Sequence, residues 1–281
     1  MVAVRLKSII QYLTSRIENN TFTNKLNSKT LPLPFDLISN QEDIAENYPQ
    51  ILPFYSSDSF ESRLGINGKV KSVGVVFNSG LILENEWGKA IDNEEIVIRI
   101  NFLPTLGYEL HTGSKTDIRI LGRNWLFRES NELLIHTYNN LQYAIQDKEI
   151  FEASEKLRLE KPLYVFNNSS WLDIYNFFGP GISNGLRAIM LALSIGEKVI
   201  IYGADPSSSK WRKGKKLTHF PSETDLEYVK LVMKSYSLLH QEYDRYFGGS
   251  AMKNGVVSSI HNTINKEYMF YNYHPNIIIA K

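Results

Sequence analysis

Small polar residues follow several apolar runs of this sequence, at points where strands of a sheet would end. Asn78, Ser79 and Gly80 follow one run, and Asn101 and Asn167 follow two others. An Asn side chain carries two donors and one acceptor, which suits ribose hydroxyls, a pyrimidine edge or a phosphate oxygen. Gly80 would let the backbone approach a ligand closely. Asn also favours turns, so a turn role for each of them stays open.

Ser183, Asn184 and Gly185 precede a helical pattern that begins at Leu186. Exposed N–H groups and the helix dipole at such a start favour an anion, for example a phosphate. A simple N-cap by Ser183 or Asn184 is the alternative, and the two roles are compatible.

His219 is the best candidate for a general base. It lies in a loop after the basic stretch Lys210–Lys216, with Glu223 four positions later. An unperturbed imidazole titrates near pH ~6.5, which suits proton abstraction near neutrality. A surface or capping role is the alternative for this single loop histidine.

Several familiar ligand motifs are absent from the sequence. There is no Gly-x-Gly-x-x-Gly, no Walker A loop and no Asp-x-Asp, and the six His residues lack metal-ligand spacing. The acidic run Asp92–Glu95 is predicted to be a solvated loop. The chain has no cysteine, which excludes a disulfide or a thiol nucleophile. We therefore predict no metal and no cofactor.

The elements that must position these residues follow an α/β pattern. The chain has 281 residues, 31 basic and 30 acidic side chains and a net charge of +1, which disfavours a nucleic-acid partner. We predict a single Rossmann-like domain at residues 66–281, with a mainly parallel central sheet flanked by helices. Residues 1–65 are predicted to be an N-terminal helix and loop extension packed on the body. Residues 268–280 are predicted to be strands.

The N-terminal residues place apolar side chains at helical spacing, with basic residues between them. We expect this helix to pack on the body, although it could also contact an anionic lipid surface. No apolar run approaches the ~18 residues of a membrane span, and no signal-peptide core is present. The expected location is cytoplasmic, with a peripheral membrane contact as an open alternative.

A long ordered set of residues resembles the large motif of the eukaryotic-type sialyltransferases, glycosyltransferase family 29. The stretch runs from Val73 to Ile120. Its matches, in order, are Asn78-Ser79-Gly80, Gly88-Lys89, Ile91-Asp92, Val97-Ile98-Arg99, Asn101, Pro104-Thr105, Gly107 and Gly113-Ser114-Lys115-Thr116. So many matches in order form a specific signal.

The family's shorter motifs are similar to later parts of the chain. The small motif is recognisable from Ser183 to Gly203. Trp211 resembles the approach to the third motif, and His219 before a helix resembles the fourth. The resemblance covers roughly residues 70–240 and implies the GT-A-like variant of the Rossmann-like fold.

The resemblance implies an inverting, metal-independent transferase. It would move sialic acid from CMP-sialic acid to a hydroxyl of a glycan or glycolipid acceptor, with His219 as the base. The family pattern, together with the strand-end position of Asn167, gives a set of CMP-binding candidates: Asn78, Ser79, Gly80, Asn101, Asn167, Ser183, Asn184, Gly185, Gly203 and Trp211.

The chain also departs from the family pattern. Val73 and Gly196 stand where the family has a disulfide, and Asn184 stands where it has Thr. Arg212 and Lys213 follow Trp211 in place of a His-Tyr pair, and either could supply positive charge beside the donor phosphate. These departures point to a cysteine-free bacterial or viral enzyme. A CMP-Kdo-dependent transferase and a catalytically inactive CMP-binding module remain alternatives.

Overall fold

In the part of the chain that the structure describes, the fold is built on one seven-stranded parallel sheet. The computed structural model describes residues 37–47, 49, 56, 58–77, 80–100, 105, 107–121, 132–136, 163–179, 182–204, 266–267 and 269–281. The strands are β1 (Val73–Val76), β2 (Ile96–Ile100), β3 (Ile118–Leu121), β4 (Leu133–His136), β5 (Leu163–Val165), β6 (Val199–Tyr202) and β7 (Ile277–Ile279). Their order is β5-β4-β3-β2-β1-β6-β7, and every neighbouring pair is parallel. The predicted α/β class and parallel sheet are confirmed.

Helices cover both faces of this sheet. They are α1 (Gln41–Asn47), α2 (Phe60–Leu64), α3 (Gly88–Asp92), α4 (Glu109–Thr112), α5 (Asn168–Phe178) and α6 (Asn184–Ile195), with a 3-10 helix at Gly80–Glu84. Helix α6 packs on one face, against β1, β2, β3 and β6. On the other face, the 3-10 helix and α3 contribute Ile82 and Ile91 to a second cluster with Val76 and Val97.

The central strands are apolar runs because both of their faces are buried. Arg99, Arg119 and His136 are polar strand residues that are also fully buried. Arg119 Nε donates to Glu132 at 2.9 Å, so its charge is paired inside the protein. Arg99 donates to the carbonyl of Lys115 at 2.8 Å, so the guanidinium ties β2 to the loop before β3.

The strand prediction for residues 268–280 is wrong over its first half. Residues 269–273 are helical, and only Ile277–Ile279 forms a strand. The helical turn buries Phe270 and Tyr271 on the same side, which a strand could not do at adjacent positions. Gly196 is the C-cap of α6, with extended backbone (φ −118°).

Part of the N-terminal extension packs on the edge of the sheet. Ser39 N–H donates to the carbonyl of Val165 at 2.9 Å, and Leu37 and Ile44 are buried. The amphipathic pattern near the N-terminus lies outside the described residues. Within the part of the chain that the structure describes, no helix has the length and apolarity to cross a bilayer.

Candidate functional site

The strand order reverses between β1 and β6. Strands β2 to β5 follow β1 to one side, whereas β6 and β7 lie on the other. The carboxyl ends of two parallel strands diverge at such a switch point, and open α/β sheets bind their ligands there. Phe77 N–H donates to the carbonyl of Tyr202 at 3.0 Å, so both strands end at the same level. The chain therefore leaves the two strands at the same level, at Phe77 after β1 and at Gly203 after β6.

The ring of Phe77 is the packing centre of the switch point, because the start of α6 and the helical turn at residues 269–273 both pack against it. A β-carbon on Gly185 would lie 2.6 Å from its Cε1 atom, so only glycine lets the start of α6 approach so closely. The ring of Tyr271 meets Phe77 edge to face at 6.4 Å between centroids. Gly203 has φ +70°, and a β-carbon there would lie 2.9 Å from Cβ of Ile82. Both glycines serve close packing of protein against protein.

Ser183 is the N-cap of α6, and a buried carboxylate holds it. Its Oγ accepts from the N–H of Leu186 at 3.0 Å, as a capping serine does. Its N–H donates to Oε1 of Glu267 at 2.8 Å, and its Oγ donates to Oε2 of Glu267 at 2.6 Å. The N-cap role is thus observed. The anion that meets the N-cap N–H is a side chain of the same protein.

Arg187 organises the first turn of the same helix. Its Nη1 donates to Oδ1 of Asn184 at 2.9 Å and to the carbonyl of Ile182 at 3.3 Å. Its guanidinium carbon lies 5.9 Å from the ring centroid of Trp171 on α5, within cation–π range. Burial lowers the pKa of Arg187 to about 10, while the nearby charge of Glu267 opposes that shift.

Glu267 is an acid in an unusual setting. Burial raises its pKa to about 7, although hydrogen bonds from Ser183 and Tyr271 and the charge of Arg187 all act to lower it. The Tyr271 hydroxyl donates to Oε2 of Glu267 at 3.3 Å. This carboxyl group therefore titrates in the physiological range.

The described candidates do not all lie together. Gly80 opens the 3-10 helix after β1, and Gly185 and Gly203 converge with it at the switch point. Asn167 follows β5, four strands away from β1, which is about 19 Å at the usual strand spacing. Its carbonyl accepts from Trp171 N–H at 3.2 Å, so its backbone serves the start of α5. The remaining candidates lie outside the described residues: Asn78, Ser79, Asn101, Trp211, Arg212, Lys213 and His219.

Three residues of the large motif lie at the amino ends of the strands, away from the switch point. The Asp92 carboxylate accepts from the N–H of Ser114 and from the N–H of Lys115, both at 2.8 Å. Lys115 Nζ donates to the carbonyls of Glu94 and Glu95 at 2.7 and 2.8 Å. These contacts precede β2 and β3 and hold their amino ends together. The prediction of a solvated acidic loop is wrong for Asp92, and also for Glu94, which accepts from the Tyr202 hydroxyl.

Sequence reasoning missed Glu267 and the packing role of Phe77. Glu267 lies 84 positions from Ser183, and no local pattern links the two. Phe77 carried a usable signal, because it is the last apolar residue before Asn78. In the described part of the chain, no three His, Asp or Glu side chains group together in a way that could hold a metal ion.

The comparisons with known proteins point to one family. Residues 15–143 match the sequence model described as Glycosyltransferase family 29 (sialyltransferase), and this stretch contains β1 to β4. Beta-galactoside alpha-2,6-sialyltransferase 2 of Rattus norvegicus is 30 % identical over 119 residues, which cover 42 % of this chain and 21 % of that protein. The resemblance inferred from the sequence is confirmed at this level.

Two further similarities have wider coverage. CMP-N-acetylneuraminate-beta-galactosamide-alpha-2,3-sialyltransferase 1 of Gallus gallus is 27 % identical over 155 residues, which cover 46 % of this chain and 42 % of that protein. A crystal structure of a mammalian sialyltransferase in complex with Gal-beta-1-3GalNAc-ortho-nitrophenol covers 78 % of this chain and 82 % of its own, with 17 % identity and a TM-score of 0.49. This chain thus matches less than half the length of these two curated relatives.

Proposed function

We propose that this chain is a glycosyltransferase that moves sialic acid from CMP-sialic acid to a hydroxyl of a glycan acceptor. One observation carries the proposal: the stretch that matches the sialyltransferase family model includes β1, which lies at the switch point of the sheet. A ligand of an open parallel sheet is expected at this point.

The donor site of this proposal has two walls. Asn78, Ser79 and Gly80 after β1, and Gly203 after β6, would meet the nucleotide between the two strands. Asn101 after β2, the Ser183–Gly185 start of α6, and Trp211 would complete the site. Amide and backbone N–H donors suit ribose and phosphate oxygens, and CMP leaves as a monophosphate ester. We propose that no metal and no cofactor are needed.

The chemistry we propose is a direct displacement with inversion. His219 takes the proton of the acceptor hydroxyl, and the resulting oxygen nucleophile attacks the anomeric carbon. The bond from that carbon to the phosphate oxygen breaks, and CMP departs with the electron pair. Arg212 or Lys213 would offset the charge that develops on the phosphate.

His261 is a useful comparison for His219. It lies six residues before Glu267, whose carboxylate is held at Ser183. Replacing each histidine in turn therefore tests which segment supplies the base.

The first experiment is calorimetric titration of the purified chain with CMP and with UMP, in the presence of EDTA. The proposal expects binding of CMP, selective over UMP, without metal. If the wild-type chain binds neither nucleotide, the proposed function is wrong.

The second experiment is a transfer assay by mass spectrometry, with CMP-sialic acid and CMP-Kdo as donors and a panel of glycans and glycolipids as acceptors. Transfer from CMP-Kdo alone would favour the alternative donor, and CMP binding without any transfer would favour an inactive CMP-binding module. His219→Ala should abolish transfer and keep CMP binding. If His219→Ala stays active while His261→Ala does not, the base lies in the segment before Glu267.

The location belongs to the same proposal. We propose a cytoplasmic protein, with the N-terminal amphipathic segment as a candidate contact for anionic lipid. Fractionation of expressing cells and flotation with vesicles that contain an anionic phospholipid would test both statements. Removal of the basic residues Arg5, Lys7 and Arg16 is expected to abolish any flotation.

A further inference from the structure

The start of α6 is held by two charged side chains, Glu267 and Arg187, that are not among the candidate residues predicted from the sequence. Glu267 accepts two hydrogen bonds from Ser183, and Arg187 donates one to Asn184. Glu267 is 2 % exposed, so these contacts lie inside the protein. Glu267 binds Ser183 and Arg187 binds the side chain of Asn184. Ser183 and Asn184 are both proposed nucleotide contacts.

We propose that Glu267 and Arg187 are positioning residues of the nucleotide site, Glu267 through Ser183 and Arg187 through Asn184. The inference rests on the proposed function, because it takes the start of α6 as a wall of the CMP site. Neither residue is proposed to touch the nucleotide or the reacting atoms.

The contacts of Ser183 explain how Glu267 would act. Its Oγ accepts from Leu186 N–H and donates to Oε2 of Glu267, so both hydrogen-bonding roles of the hydroxyl are fixed. Its N–H is fixed by Oε1 of the same carboxylate. A segment ordered before the ligand arrives loses less conformational entropy on binding, which raises affinity.

Arg187 fixes the side chain of Asn184, the residue at which this chain departs from the family pattern. Oδ1 of Asn184 accepts from Arg187, which sets the plane of the amide and directs Nδ2 away from the guanidinium. Asn184 stands where the resemblance implies Thr, so an amide replaces a hydroxyl at this position. The guanidinium is itself held by the Ile182 carbonyl and the Trp171 ring.

The two charges also depend on each other. Among the residues that the structure describes, the titratable or charged groups that act on Glu267 are Arg187, from α6, and Tyr271, from its own helical turn. Removing either charge leaves the other buried with less compensation, which disturbs the segment between them. Tyr271 donates a longer hydrogen bond, at 3.3 Å, to the same carboxyl oxygen as Ser183, so Tyr271→Phe offers a matched control.

The test is calorimetric titration of CMP with Glu267→Gln, Arg187→Met and Asn184→Ala, together with the Arg187→Met/Asn184→Ala double variant. We expect Glu267→Gln and Arg187→Met each to raise the Kd for CMP about tenfold, the loss typical of one well-placed polar contact. Because Arg187 acts through Asn184, Arg187→Met should change the Kd less than twofold when Asn184 is already Ala.

Two controls separate positioning from general damage. Tyr271→Phe removes the longer of the two hydrogen bonds to Oε2 of Glu267, 3.3 Å against 2.6 Å from Ser183 Oγ, and should leave the Kd within about twofold. Glu132→Gln removes an equally buried carboxylate, 2 % exposed, from its pair with Arg119. It should lower the melting temperature and leave the Kd within about twofold.

The outcomes are separable. If the wild-type chain does not bind CMP, the proposed function is overturned and this inference with it. If the wild type binds CMP and Glu267→Gln and Arg187→Met bind it equally well, the inference alone is overturned. An equal weakening by Glu132→Gln, or additive effects of Arg187→Met and Asn184→Ala, would also overturn it.

Discussion

A β-carbon added to Gly196 would lie 2.6 Å from Cγ2 of Val73. Val73 opens β1, and Gly196 ends α6 and forms a parallel bridge with Val70. These are the two positions at which the family resemblance implies a disulfide. The chain brings the same positions together with a glycine packed on a valine methyl group. The fold at this point therefore does not need the covalent link.

The first prediction is that Val73→Cys/Gly196→Cys forms a disulfide. Cγ2 lies one bond of about 1.5 Å from Cβ, so the two β-carbons would be at most about 4.1 Å apart, within disulfide range. The extended backbone of Gly196 accepts an L-residue. Closing so long a loop should raise the free energy of unfolding by up to about 4 kcal/mol. Melting with and without reductant, and mass spectrometry of the intact chain, measure both effects.

The single variants provide the control for this prediction. The natural chain has no cysteine, so the two introduced thiols can pair only with each other within a monomer. Gly196→Cys alone should destabilise the protein, because its β-carbon crowds the Val73 methyl group. Two free thiols in the oxidised double variant would contradict the geometry.

The second prediction concerns Asp92, which belongs to the large motif but lies at the amino ends of the strands. Asp92→Ala removes the acceptor of the Ser114 and Lys115 N–H groups. We expect a loss of about 2 kcal/mol in the free energy of unfolding, since these are hydrogen bonds to a charged group. The Kd for CMP should stay within about twofold, because the proposed CMP site is at the carboxyl ends of the strands. Chemical denaturation and calorimetry measure the two quantities.

The comparison variant is Lys115→Met, which removes the bonds to the Glu94 and Glu95 carbonyls. It should behave like Asp92→Ala. A large rise in the Kd for CMP with either variant, at unchanged stability, would contradict this prediction. It would mean that Asp92 or Lys115 contributes to the ligand site.

The strands were predictable from the sequence because their chemistry is local. The run at Val73–Val76 is apolar on both faces, and this is the pattern of a buried parallel strand. The same reasoning failed at residues 269–273, where short aromatic runs are as compatible with a helix as with a strand. The packing of Phe270 on Phe178, at 5.4 Å between ring centroids, favours the helix, and no local pattern encodes that contact.

The candidate site was predictable only in part, for the same reason. The Ser183 cap has a local signature, because a capping serine and the N–H it binds are three positions apart. Its partner Glu267 is distant in sequence and joins it only through the tertiary fold. Motif matching also groups Asp92 with Asn78, although Asp92 lies at the amino ends of the strands and the switch point is at their carboxyl ends. The two residues belong to one sequence motif. Asp92 holds the amino ends of β2 and β3 together, whereas Asn78 follows β1 and is a candidate site residue.

The third prediction tests Phe77 as the packing centre of the site. Gly185→Ala places a methyl group 2.6 Å from the ring, so the ring or the start of α6 must move. Phe77 directly precedes Asn78, and we expect the Kd for CMP to rise at least about fivefold. Phe77→Leu in the same background creates space and should recover part of that loss. Additive losses in the double variant would mean that the two residues do not act through one contact.

The fourth prediction is a pH dependence of stability that depends on Glu267. Burial raises its pKa in the folded protein to about 7, against 4.5 as the ordinary value. Below pH 4.5 the group is protonated in both states. Between pH 4.5 and 7 the folded protein keeps a proton that the unfolded chain releases, so rising pH favours unfolding. Relative to Glu267→Gln, the wild type should lose about 3 kcal/mol across this window.

Thermal melting of the wild type and Glu267→Gln from pH 4.5 to 8.5 measures this difference, because all other titrating groups are shared. Tyr271→Phe sharpens the test. Its hydroxyl lowers the pKa of Glu267, so removing it should move the upper end of the window to higher pH. A difference between wild type and Glu267→Gln that is constant with pH would show that Glu267 keeps its ordinary pKa. In that case its burial beside Ser183 would be wrong.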